Sequence, residues 1–220
     1  MRTVIFDLDG TLADTSADLI AAANHCFRGL GLGDLLDPAA DQLTAFHGGR
    51  AMLRLGFSRA AGFGDDEVDR QYPVLLAAYE AGIDRETRLY PGAAEAAEAL
   101  RAAGYALAIC TNKPEGLAET LMTRLGVRGL FGALVGADTL PVRKPDPAPY
   151  RAAVERAGGA VGQSFLLGDT ETDVLTARAA GVPCALVTFG PEGRGIARLA
   201  PEALLDGYAD LPALAARLIG

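Results

Sequence analysis

The sequence predicts an α/β protein with a parallel sheet, interrupted early by a block of helices. Three observations lead there. From about residue 90 onward, short apolar runs alternate with helical stretches, as they do when crossover helices connect parallel strands. The chain also opens on an apolar strand, Val4 to Phe6, which the same sheet must accommodate. Between the two, residues 15–85 show helical spacing and no strand pattern.

After the opening strand, Ser16 can cap a helix that places Leu19, Ile20, Ala23, Phe27 and Leu30 on one face. Gly29, Gly31 and Gly33 break it, and further helical stretches follow around 39–46, 49–61 and 65–81. Pro91 and Gly92 open an Ala- and Glu-rich helix that Gly104 closes. A strand is then expected over Tyr105 to Cys110, a helix over Pro114 to Leu125 and a strand over Ala133 to Gly136. Pro147 to Ala157 reads as helix, Phe165 to Gly168 as strand, Glu171 to Ala180 as helix and Cys184 to Thr188 as a last strand. The result is about five parallel strands in a Rossmann-like core, with an α-helical cap inserted after the first. Core boundaries fall at 1–14 and 88–220, and the cap occupies 15–87.

Composition narrows the function. Hydrophobic residues make up 50% of the 220 and charged residues 22%, an ordinary globular balance. A formal net charge of −8 argues against binding nucleic acid or an anionic membrane through a broad basic surface. No apolar run is long enough to span a bilayer, and the first strand begins almost at once, so a cytoplasmic protein is expected. Cys26, Cys110 and Cys184 are widely spaced, with no C-x-x-C pair, and read as buried thiols. His25 and His47 are the only histidines and lack metal-ligand spacing, which disfavours a zinc site or a Ser-His-Asp triad.

In an open parallel sheet, ligands bind beyond the carboxyl ends of the strands. Four such ends carry chemistry. The first strand runs into Asp7-Leu8-Asp9-Gly10-Thr11, two acids where burial of ionised carboxylates requires a cation. One residue apart, they would point to opposite faces of an ideal strand, so the chain should leave β geometry here, with Gly10 permitting the turn. Oxygen ligands at this density suit a hard divalent ion such as Mg²⁺. The Tyr105 to Cys110 strand ends at Thr111 and Asn112, a hydroxyl and an amide ahead of a helix N-terminus, where an anion is favoured. Lys144 follows the third strand, and Asp169 and Asp173 follow the fourth. Each has a bland alternative: solvated acids at a turn, helix caps, an exposed helix acid. Lys144 is the most pointed, because the chain has two lysines against eighteen arginines. A compact ammonium suits a position between a phosphoryl oxygen and a carboxylate better than a planar guanidinium does.

In this order and across nearly the whole chain, the four stations resemble the haloacid dehalogenase superfamily, with its D-x-D-G-T, Thr, Lys and G-D-x-x-x-D motifs. The helical insertion resembles the superfamily's first type of cap, and the phosphoglycolate phosphatase-like group is the best match. The resemblance implies that Asp7 attacks phosphorus to form an aspartyl-phosphate. Asp9 would protonate the leaving alkoxide and then deprotonate the hydrolytic water. Mg²⁺ would be held by Asp7, the backbone carbonyl of Asp9 and Asp169, with Asp173 as a further or water-mediated ligand. Thr111, Lys144 and backbone N–H groups near Leu8 and Asn112 would bind the phosphoryl oxygens, and Lys144 would neutralise Asp7 and Asp169.

Within the superfamily, Asp9 favours phosphoryl transfer over dehalogenation, and a cap without lysine excludes a Schiff-base route. A β-phosphoglucomutase-like sugar phosphate mutase shares all four stations and differs mainly in the cap. A non-catalytic phospholigand-binding protein predicts damage at a station, and none is visible. The cap must then supply specificity, with Arg50 in His47-Gly48-Gly49-Arg50 available for a substrate carboxylate, against the alternative of a solvated helix arginine. His47 is the weaker candidate. The stretch Thr188-Phe189-Gly190 departs from the Gly-Tyr or Gly-Trp frequent in relatives of the phosphoglycolate type. The expected partner is a small phosphorylated metabolite, with no nucleic acid and no membrane, and the assembly a monomer or homodimer.

Overall fold

The computed structural model describes residues 1–220. The chain divides into two compact units, Met1–Ala13 with Leu89–Gly220, and Asp14–Arg88.

The first unit is built on a six-stranded parallel sheet. Its chain order is β1 (Thr3–Phe6), then after the short β2 (Ala13–Asp14) and β3 (Arg88–Leu89), β4 (Ala106–Cys110), β5 (Ala133–Val135), β6 (Ser164–Gly168), β7 (Cys184–Val187) and β8 (Ala203–Leu205). Spatially the order is β5-β4-β1-β6-β7-β8, while β2 and β3 pair only with each other. β1 therefore lies at the centre, in register Ile5 to Ala108 on one side and Ile5 to Leu166 on the other. Alternate residues face opposite sides of a strand. Ile5, Ala108, Cys110, Val135, Leu166 and Leu186 share one face with Tyr150, Ala153 and Val154 of α7 (Pro147–Arg156) and Val174 and Ala177 of α8 (Glu171–Ala180). The other face is covered in part by α5 (Ala93–Ala102) on β4 and α9 (Leu211–Ile219) on β6. Coverage of both faces is why these strands read as continuous apolar runs rather than alternating ones.

The second unit consists of α1 (Ser16–Gly29), α2 (Gln42–Phe46), α3 (Gly49–Ser58) and α4 (Asp65–Ala81). Leu19, Ile20, Ala23 and Phe27 of α1 are buried. Phe27 meets Phe57 of α3 edge to face at 5.2 Å, and Phe57 stacks on Phe63 at 5.0 Å. Gly56 allows this approach, since a Cβ there would stand 2.1 Å from the Phe27 ring. Two buried polar side chains of the unit, Asn24 and Asp18, are hydrogen-bonded, as burial favours. Asn24 exchanges two hydrogen bonds with the Leu36 backbone, at 2.8 and 3.0 Å. Asp18 accepts from the Thr87 N–H at 2.9 Å and its hydroxyl at 2.8 Å.

Several local expectations change. Ser16 does not cap α1; its N–H and hydroxyl both donate to Asp14, at 3.1 and 2.6 Å. The helix expected from 39 starts at Gln42, because the Asp37 carboxylate takes the N–H groups of Ala39 and Ala40 into a turn. The sheet has six strands because β8 pairs with β7. Three residues, Ala203 to Leu205, are too few to carry a period of their own. α9 also lay beyond the expected elements; Leu211, Leu214 and Ala215 form its buried stripe.

Asp41, 6% exposed, receives both arms of the Arg59 guanidinium at 2.7 Å. That pair holds its carboxyl below the ordinary aspartate range, against the opposing pull of burial. A depressed carboxyl stabilises the fold above its unfolded value, and the contribution disappears as pH falls through the folded value. Arg59→Met is therefore expected to lower stability near neutral pH by about 1–2 kcal/mol, the range for a charged hydrogen bond discounted for Arg59's exposure. Urea unfolding across the acid range should show the difference between variant and wild type shrinking as pH falls below the ordinary aspartate value.

Candidate active site

The end of β1 is shaped by hydrogen bonds that leave no room for continued strand. The Asp7 N–H still joins the sheet, donating to Leu167 at 2.8 Å. One residue later the Leu8 carbonyl receives the N–H groups of Thr11, Leu12 and Ala13, and Gly10 turns the chain at φ 80°. Leu8 is buried, and the acids on either side of it do not diverge across a flat strand. α6 (Glu115–Arg124) follows β4 after Thr111, Asn112 and Lys113, with Pro114 at its cap position, so neither Thr111 nor Asn112 caps it.

Asp7, Asp169 and Asp173 converge, each offering a carboxylate oxygen within 4.8 Å of the others. Lys144, 3% exposed, sits among them with Nζ 3.0 Å from Asp7 and 2.6 Å from Asp173. Its direct partners are Asp7 and Asp173, and its charge also acts on Asp169 without a direct ion pair. The loop carrying Lys144 is held by the Asn112 side-chain amide, which donates to the Lys144 carbonyl at 3.0 Å. Asp173 is fully buried, and its second oxygen accepts from the N–H groups of Asp169 and Thr170 and from the Thr170 hydroxyl. It is the acidic half of a capping box at the start of α8 rather than a solvated helix acid. Gly168 makes this possible, because a Cβ there would lie 2.3 Å from the Asp173 carboxyl carbon. The Thr11 hydroxyl donates to Asp169 at 2.9 Å, and Thr11 is held in turn by the buried Tyr208 hydroxyl on its carbonyl at 2.7 Å.

Three carboxylates and one ammonium leave two negative charges uncompensated if all are ionised. The acids respond accordingly. Burial pushes Asp7 up to about 6, with Lys144 pulling it back and Asp173 adding to the rise. Asp169 is raised well above its ordinary value, first by burial and then by Asp7 and Asp173. An all-oxygen donor set with this charge deficit fits a hard divalent cation. One Asp173 oxygen takes three donors and the other meets Lys144. Each Asp7 oxygen has one such contact and Asp169 accepts from Thr11 through one oxygen, so Asp7 and Asp169 keep more acceptor capacity for a cation.

Asp9 faces a different cation. Lys113, 6% exposed, places Nζ 2.7 and 3.0 Å from its two oxygens. Lys113 receives no role from the sequence, although the scarcity of lysine that marks Lys144 applies equally to it. Thr11 and Gly168 stand in the sequence only as members of a motif and of a strand, and Tyr208 lies in neither, since hydroxyls and glycines show their contacts only once their neighbours are known. Thr111 is buried and accepts from the Lys113 N–H at 3.2 Å, while the Leu8 N–H donates to Asp7 at 2.7 Å.

In the helical unit, His47 is exposed and ends α2. Arg50 forms an exposed ion pair with Asp69 and lies over the Tyr72 ring, 4.5 Å from its centroid. The three cysteines are free and buried. Burial lifts Cys110 to about 12 and Cys26 to about 11, which leaves no reactive thiolate near neutral pH.

Residues 4–187 match the haloacid dehalogenase-like hydrolase family. The chain belongs to that family. It is 40% identical over 219 residues to the phosphoglycolate phosphatase of Agrobacterium fabrum strain C58, covering 98% of this chain and 93% of that protein. The phosphoglycolate phosphatase of Mesorhizobium japonicum is 38% identical over 218 residues, 98% of this chain and 96% of that protein. Among solved structures, a predicted phosphoglycolate phosphatase from Haemophilus somnus 129pt superposes with a TM-score of 0.86 at 27% identity, covering 97% of each chain.

Lys144→Met leaves the three acids without their cation, and removal of one partner from a buried pair costs about 3–5 kcal/mol. Urea unfolding in a chelator should show a loss of that size at pH 8. A carboxyl whose folded value lies above its unfolded one binds protons preferentially in the folded state. The deficit should therefore shrink as pH falls towards and through the Asp7 value of about 6.

Proposed function

We propose that this protein is a Mg²⁺-dependent phosphomonoester hydrolase that works through an aspartyl-phosphate, with phosphoglycolate as its substrate. The observation that carries the reading is the convergence on Lys144 of acids from separate strand ends, Asp7 after β1 and Asp173 after β6, with Asp169 alongside. Family membership supports the chemistry. The names of the relatives at 38–40% identity support the substrate.

In the first half-reaction an Asp7 carboxylate oxygen attacks phosphorus. The bond between phosphorus and the ester oxygen breaks, its electron pair stays with that oxygen, and Asp9 delivers the proton. In the second, water attacks the phosphorus, Asp9 takes its proton, and the bond to Asp7 breaks to release inorganic phosphate. Thr111, Lys144 and the Leu8 and Asn112 N–H groups hold the equatorial oxygens. For Leu8 this means exchanging its hydrogen bond to Asp7 for one to substrate. The Asn112 side chain is committed to the Lys144 loop, so its contribution comes from the backbone.

Asp7, Asp169 and the Asp9 carbonyl would hold Mg²⁺, which would supply neutralisation of the negative charge of the phosphoryl group. Asp173 acts behind these ligands, fixing Lys144 and the turn that presents Asp169. Choice of substrate belongs to the helical unit, with Arg50 as the cation for the substrate carboxylate and His47 beside it. The exposed Asp69 pair is worth under about 1 kcal/mol and yields Arg50 at little cost. Three free, buried thiols favour a reducing, cytoplasmic setting. The protein would act as a monomer or homodimer. No helix is long and apolar enough to cross a membrane.

Purified protein with Mg²⁺ should release phosphate from phosphoglycolate, and a chelator should abolish release. Absence of release from every ester in a mixed panel, or conversion of a sugar phosphate to its isomer in place of hydrolysis, would overturn the reading. Asp7→Asn should lower turnover at least about a thousandfold, as loss of a nucleophile does, with an unchanged circular dichroism spectrum. Arg50→Ala should raise the KM for phosphoglycolate about tenfold while leaving kcat, and the KM for 4-nitrophenyl phosphate, unaltered.

A further inference from the structure

Both lysines of this arginine-rich chain are buried, and each holds one aspartate of the opening motif. Lys144 lies against Asp7 and Lys113 against Asp9. We propose that Lys113 is the positioning residue that fixes the Asp9 carboxylate for both proton transfers. The inference rests on the phosphatase reading and extends it.

The geometry is specific. One ammonium contacts both Asp9 oxygens, at 2.7 and 3.0 Å, which restrains rotation of the carboxylate as well as its location. Lys113 is itself held. Its N–H donates to the Thr111 hydroxyl at 3.2 Å, its carbonyl accepts from the Ala137 N–H at 2.9 Å, and Pro114 follows it. Its stem is buried, with the side chain 3% exposed, so the ammonium cannot trade Asp9 for solvent. Asp9 stands beyond the end of β1, where its backbone bridges to Ala13, and both oxygens of its carboxylate meet the Lys113 ammonium. An arginine would place a wide planar fork in this slot, whereas a lysine ends in a compact donor able to face both oxygens. A proton donor and acceptor misplaced by 1 Å loses about a hundredfold in rate, so rigid support for Asp9 has a kinetic consequence.

The test is a double-mutant cycle on wild type, Lys113→Met, Asp9→Asn and the double variant, with Mg²⁺ present. Lys113→Met should lower kcat for phosphoglycolate about a hundredfold and change KM less than about threefold. The pre-steady-state burst of 4-nitrophenolate from 4-nitrophenyl phosphate should stay within about tenfold of wild type, because that leaving group departs without a proton. In the Asp9→Asn background, adding Lys113→Met should cost less than about threefold more, the non-additivity expected when one residue acts through the other. A raised KM with kcat retained would make Lys113 a substrate-binding cation and overturn the proposal. So would a full hundredfold loss repeated in the Asp9→Asn background. A wild type without turnover overturns the phosphatase reading and this inference with it; an active wild type with additive losses overturns this inference alone. If Lys113→Met lacks a cooperative unfolding transition, Lys113→Gln carries the same cycle with a neutral donor of similar length.

Discussion

Everything at this site depends on the Lys144 ammonium being held between Asp7 and Asp173. Three acids within 4.8 Å of one another repel, and burial penalises each ionised form further. Lys144 offsets only part of that charge, and the remainder suits a hard divalent cation. The deficit that strains the fold is thus what makes the site receptive. Because the charges are fixed on strand ends and a capped helix, little reorganisation is needed when charge develops during phosphoryl transfer.

The sheet supplies this precision by placing β1 at its centre. Its neighbours β4 and β6 bring Thr111 and Asp169 to either side of Asp7, and β5, beyond β4, leads into the loop that bears Lys144. The supporting shell is mostly hydrogen-bonded backbone: Asn112 on the Lys144 carbonyl, Thr11 on Asp169, the Asp173 capping box on the turn after β6. Gly168 is required for the last of these because only a residue without Cβ leaves space for the Asp173 carboxyl.

Two lysines divide the two aspartates between them. Asp7, raised to about 6 by burial, shares Lys144 with Asp173; Asp9 meets Lys113. Separate cationic partners give the two carboxylates different surroundings although they lie two residues apart in sequence.

The order of chemistry-bearing residues along the chain was readable from sequence because parallel sheets present their active residues at successive strand ends. Long, buried strands announce themselves by apolar runs, and their C-terminal neighbours then stand out as acids, a hydroxyl and a lysine. The extents of α4 and α8 were equally legible, in α4 despite Pro73 within the helix. β8 and α9 were not, because three residues carry no period and the last helix lies past the final recognised strand. Pairing was also beyond sequence. That Lys144 meets Asp173, that Lys113 rather than solvent faces Asp9, and that Asn112 supports a loop 32 residues away are contacts between strand ends. Residue types at strand ends follow from local pattern, whereas their partners follow from sheet order and crossover geometry, which exist only once the chain has folded.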